Sequence, residues 1–136
     1  MTDLELMKLA EEARQFSYSP YSHFAVGAAL LTKSGKVYTG CNIESVSYTP
    51  TNCAERTALF KAVSEGEREF SVIAVIGGLA GEAGRFCAPC GVCRQALREF
   101  CDLDFRILLG TTDEVQTFTL DELLPTSFGP SELKGV

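Results

Sequence analysis

Phe24-Ala25-Val26-Gly27-Ala28-Ala29-Leu30-Leu31-Thr32, then Lys33-Ser34-Gly35, then Lys36-Val37-Tyr38-Thr39-Gly40-Cys41, is the stretch on which the fold class turns. The first run is almost continuously apolar, the pattern of a strand covered on both faces. Ser34-Gly35 supplies turn chemistry, and residues 36–41 return as a second strand, so the pair reads as a hairpin. Outward from it, strands and helices alternate. Upstream, residues 3–16 form a first helix capped by Thr2 or Asp3, with Leu4, Met7, Leu9, Ala10, Ala13 and Phe16 as its apolar stripe. Downstream, a helix runs from Cys53 towards Gly66, with Asn52 as its N-cap, and Phe70–Ile76 is a buried strand. Gly77 to Arg85 is glycine-rich and reads as a flexible loop. A second helix starts near Cys90 and runs to Phe100; Phe105–Leu109 and Val115–Thr119 are further strands; Asp121–Leu124 is a helical turn stopped by Pro125. This alternation predicts an α/β layer fold with helices covering a mixed sheet. No repeat or composition break divides the chain, so residues 1–136 read as a single domain.

The bulk properties narrow the functional classes. At 136 residues, 46% hydrophobic and 22% charged, the chain has material for one ordinary core. No apolar run approaches the roughly 18 residues of a membrane span. Met1-Thr2-Asp3-Leu4-Glu5 lacks a basic segment followed by an apolar one, so a cytoplasmic location is expected. The net charge is −6 and the 12 Lys and Arg are scattered, which argues against a nucleic-acid partner. Six cysteines without a secretory signal read as reduced thiols or metal ligands rather than disulfides.

The chemistry concentrates in two separated pieces, Cys53-Ala54-Glu55 and Pro89-Cys90-Gly91-Val92-Cys93. Cys53 and Glu55 fall at a helix start, where the dipole favours a thiolate and an anion. Cys90 and Cys93, three residues apart, can reach one ion. Three readings fit these residues: an open catalytic zinc site, a closed structural site that recruits Cys87 as fourth ligand, or a redox pair. Glu55 favours the open site, because a closed one leaves a carboxylate beside the metal without a task. Asn42 and Glu44 point to one side if the second strand continues, placed to hydrogen-bond vicinal hydroxyls; the plainer reading is a solvated strand end. His23, the single histidine, reads as structural.

Cys53-Ala54-Glu55-Arg56-Thr57 with Pro89-Cys90-Gly91-Val92-Cys93-Arg94-Gln95 resembles the small cytidine deaminases of nucleoside salvage. The likeness extends through Pro20-Tyr21-Ser22, Phe24 to Leu31, Gly40 to Glu44, Glu122 to Pro125, and Ser127-Phe128-Gly129-Pro130. It implies a three-layer α/β/α sandwich around a mixed, mostly five-stranded sheet. It implies one Zn2+ per subunit on Cys53, Cys90 and Cys93, with Glu55 as proton shuttle in hydrolytic deamination of cytidine and 2′-deoxycytidine. It further implies that Phe24 packs on the base, the Ala54 N–H meets it, and Asn42 and Glu44 hold the ribose. Tyr48 and Phe128 would reach across subunits of a homotetramer. Three thiolates leave zinc with a net charge of −1, so a compensating cation is needed; Arg56, hydrogen-bonding the ligand sulfurs, is the candidate. The chain departs from the family pattern at Ala88, where a serine usually precedes the proline, and Cys87 is an extra, unliganded thiol. The resemblance leaves other functions to be tested: deamination of another aminopyrimidine such as blasticidin, editing of a polynucleotide, or a closed zinc module that binds a partner.

Overall fold

A computed structural model describes residues 1–133. Five strands form one mixed sheet in the order β2-β1-β3-β4-β5: β1 (Phe24–Thr32), β2 (Val37–Cys41), β3 (Phe70–Leu79), β4 (Arg106–Gly110) and β5 (Val115–Thr119). The β1–β2 hairpin has the register expected of its turn, with Leu31 opposite Val37 and Gly27 opposite Cys41. β1 also pairs antiparallel with β3, β3 pairs parallel with β4, and β4 pairs antiparallel with β5. The parallel step is made by a helical crossover, as such a step requires.

Helices cover both faces, so the three-layer arrangement holds. On one face lies α1 (Asp3–Ala13), whose Leu6, Met7 and Ala10 are buried against Ala29, Val72, Ala74, Ile76 and Leu108. On the other lie α2 (Ala54–Ser64), α3 (Gly91–Phe100) and the short α4 (Leu120–Leu123). Their Ala54, Ala58, Leu59, Leu97 and Leu120 pack with Ala28, Leu30, Ile73, Val75, Ile107 and Leu109. Successive residues of β1, β3 and β4 go to opposite cores, which is why these strands are apolar throughout.

Several boundaries differ from expectation. α1 ends at Ala13 and continues as a 3-10 turn over Arg14–Phe16; Leu4 and Phe16 are exposed, and Leu6 takes the core position instead. Gly77–Arg85 is not a free loop. Gly77–Leu79 extend β3, Gly77 exchanges two backbone hydrogen bonds with Arg85, and the turn is tied to α1. Arg14, buried, donates to the carbonyls of Ala25, Leu79 and Glu82, while Glu11 accepts from Arg14 and from the Gly84 N–H. Glycine content suggested freedom here, but a part-buried ion pair with backbone partners removes it.

Candidate metal centre and catalytic cleft

The two chemical pieces meet because two helices start at the same place. Cys53 is the N-cap of α2 and Cys90 the N-cap of α3; neither sulfur caps its own helix. Asn52, expected as the cap, instead donates through Nδ2 to Thr57 Oγ1 at 3.1 Å. Cys93 sits one turn into α3 and is fully buried. The seating of α2 depends on Gly40. A Cβ there would stand 2.5 Å from the Ala58 nitrogen and 2.6 Å from the Ala54 oxygen, so glycine alone lets β2 run against the first turn of α2.

Among the described residues, the metal-ligating cluster is Cys53, Cys90 and Cys93, with all three sulfurs within 4.8 Å of one another. The Cys53 and Cys90 sulfurs are 3.7 Å apart. Zinc–sulfur bonds of about 2.3 Å in tetrahedral geometry put two sulfurs roughly 3.8 Å apart, so the cluster fits zinc. Cys87 lies outside the cluster, and a closed four-cysteine site is not what these residues form. Cys87 lines the neighbouring cleft instead, its thiol pushed up by burial.

The electrostatics favour thiolates. Two helix N-termini converge on the sulfurs, and Arg56 Nη2 donates to Cys53 Sγ at 3.5 Å. Cys53 is pulled down to about 5, first by a hydrogen bond from Cys93 and then by Arg56; the same bond pushes Cys93 up. A cation bound among the sulfurs would compete with the protons they carry. Arg56 Nε is buried with no acceptor, an orphaned donor beside sulfurs that become fuller acceptors once both are ionised.

Glu55 is 4% exposed, and desolvation pushes its carboxyl up to about 7, with the Cys53 thiolate adding to the shift. A carboxyl poised near neutrality can both take and give a proton. It faces a cleft of about 210 Å³ lined by Val26, Asn42, Cys53, Ala54, Cys87 and Ala88, among others. Ala54 opens α2, where a backbone N–H has no partner within the helix.

The other expected residues are placed differently. β2 ends at Cys41, but Ile43 continues as an isolated bridge to Tyr18 and Asn52, and the flanking Asn42 and Glu44 side chains both meet the 17–26 segment. Asn42 Oδ1 accepts from the Val26 N–H (2.9 Å) and Ser17 Oγ (2.5 Å), and Nδ2 donates to the Phe24 carbonyl (2.8 Å). Glu44 accepts from the Tyr21 and Ser22 N–H groups and from Ser22 Oγ, and these bonds hold its carboxyl below the ordinary range, the Ser22 hydroxyl most. Phe24 is not among the residues lining the cleft; its ring lies 5.6 Å from the Arg85 guanidinium. Tyr48, 75% exposed at φ 63°, and Phe128, 62% exposed, are not among the residues lining this cleft. His23, at φ 58°, is bonded through its backbone to Ser19 and Ala80, as a structural residue would be.

Residue reading missed Arg94. Its guanidinium donates to the Pro89 carbonyl at 2.7 Å and the Leu123 carbonyl at 2.6 Å, pinning the ligand segment to α4. Its place directly after Cys93 was the available signal.

Residues 1–108 match the family model described as the cytidine and deoxycytidylate deaminase zinc-binding region. A cytidine deaminase of Halalkalibacterium halodurans is 49% identical over 129 residues, covering 94% of this chain and 95% of that protein. One of Sporosarcina psychrophila is 44% identical, covering 95% and 93%. The crystal structure of cytidine deaminase from Burkholderia pseudomallei superposes with a TM-score of 0.85 at 45% identity, covering 94% of this chain and all (100%) of that one.

Proposed function

The chain belongs to the cytidine and deoxycytidylate deaminase family, and from that membership we propose how its residues divide the work. It is a zinc-dependent hydrolytic deaminase that converts cytidine to uridine and ammonia. We assign the zinc to Cys53, Cys90 and Cys93. Bound there, zinc makes a water molecule nucleophilic at neutral pH. With zinc bound, Glu55 would take one proton from that water and deliver it to N3 of the pyrimidine as the oxygen bonds to C4, then pass the oxygen's second proton to the 4-amino group, so that the C4–N bond breaks and ammonia leaves. Arg56 holds the Cys53 sulfur and balances the thiolate charge. The Ala54 N–H and the Phe24 ring position the base. Asn42 and Glu44 meet the ribose hydroxyls with the hydrogen-bonding capacity that their contacts to the 17–26 segment leave free. 2′-Deoxycytidine is accepted on the same contacts. The single catalytic domain spans residues 1–136.

The observation that carries this reading is a buried carboxyl, pushed up to about 7 by desolvation, beside a three-thiol cluster with its fourth side open to a cleft. The cleft, at about 210 Å³, is smaller than the roughly 300 Å³ at which small-molecule sites begin. That deficit supports a site completed by another subunit, with Tyr48 and Phe128 as the contributed side chains and a homotetramer as the working form. Its place of action is the cytoplasm. No described helix is long and apolar enough to cross a membrane.

The test is a zinc determination combined with the ultraviolet change on conversion of cytidine and 2′-deoxycytidine. One zinc per chain with turnover is expected. Zinc without conversion of either nucleoside refutes the substrate while leaving the metal site; blasticidin run in parallel identifies the alternative substrate.

A further inference from the structure

Resting on the reading that Phe128 serves a neighbouring subunit, we infer that Gln95 and Arg98 are positioning residues, holding the tail so that the Phe128 ring stands out from its own chain. The two side chains lie one turn apart on α3, on one face. Gln95 Nε2 donates to the Phe128 carbonyl at 2.8 Å, and Arg98 Nε donates to Ser127 Oγ at 3.0 Å. Gly129 is buried under the Arg98 guanidinium; a Cβ there would lie 2.4 Å from Cζ and 2.7 Å from both terminal nitrogens. Three consecutive tail residues are therefore pinned, directly after Thr126 turns the chain at φ 54°. The ring between those anchors is 62% exposed.

A clamped backbone bearing an unpacked aromatic is a presenting arrangement. A loose tail loses conformational freedom when it docks, and a pinned one has lost it already. The same helix carries Cys93 and is capped by Cys90, so two of the cluster thiols and the tail contacts share one element. Loss of the clamp should therefore weaken substrate binding at the neighbour without altering zinc or the chemical step.

The variants are Gln95→Met, Arg98→Ala and Phe128→Ala, each assayed alone and after co-assembly with an excess of Glu55→Gln, which has an intact tail and no turnover. Alone, Gln95→Met should raise KM for cytidine about fivefold, the effect of one lost hydrogen bond, with kcat and zinc content unchanged. Arg98→Ala should raise it further. On co-assembly, all three active chains should regain the parental KM, because the tail now comes from the Glu55→Gln partner. If Phe128→Ala is not rescued, the shared-site reading is wrong. If Phe128→Ala is rescued but the clamp variants have parental KM, or an elevated KM that mixing does not restore, the positioning role is overturned. Gln95 is exposed and carries one bond, so Gln95→Met decides the matter even where Arg98→Ala fails to fold.

Discussion

Glu55 is useful because α2 buries it. Removing its carboxylate while keeping its shape separates proton transfer from metal binding: Glu55→Gln should lose about 10²–10⁴-fold in kcat and retain its zinc. A partner-binding zinc module would be indifferent to that change. Arg56 makes a complementary case. Arg56→Ala should keep the fold but lose activity or zinc, since the thiolates lose their nearest cation; near-normal turnover with full metal content refutes the role. Glu44 sets the sign of a pH effect. Its carboxyl is held below the ordinary glutamate range, chiefly by Ser22, so its bonds stabilise the native state above that range and are lost as pH falls through the lowered, folded value. In urea titrations, the stability gap between the parent and Glu44→Gln should be constant above about pH 6 and shrink below about pH 4.5. A gap that widens on acidification contradicts the assignment.

At the scale of elements, the centre is a meeting of helix starts held by backbone contacts. Gly40 lets β2 approach α2 closely enough to set Cys53 and Glu55 against the sheet. Gly40→Ala should cost about 1–3 kcal/mol by overpacking and reduce zinc content, read by thermal unfolding and metal analysis together. Full zinc occupancy at an unchanged midpoint contradicts this. Element type was legible from the sequence because β1, β3 and β4 are apolar on both faces and the helices have their own periodicity. Element ends were not. Asn52 has the chemistry of a cap, yet its side chain found Thr57, and the cap position fell to Cys53. The Gly77–Arg85 segment was misread because its partners, Glu11 and Arg14, lie some 65 to 73 residues away.

The whole molecule is expected to work as an assembly in which neighbouring chains complete each cleft. Light scattering should give four chains per particle, and dilution below the association range should raise KM while zinc stays bound. Parental KM in a verified monomer sinks the shared site.

The thiol cluster, the carboxyl beside it and the α/β layering were written in local pattern: thiols at helix starts, a carboxylate two residues on, strands apolar on both faces. Local pattern suffices there because ligand spacing and strand covering are properties of a few adjacent residues. Only the tertiary structure decided that Cys87 stays outside the cluster, that Asn42 and Glu44 first brace the 17–26 segment, and that Arg94, Gln95 and Arg98 join α3 to the ligand segment and the tail. Those are contacts between residues far apart in sequence. Their geometry depends on how two cores pack against one sheet, which no single stretch of chain contains.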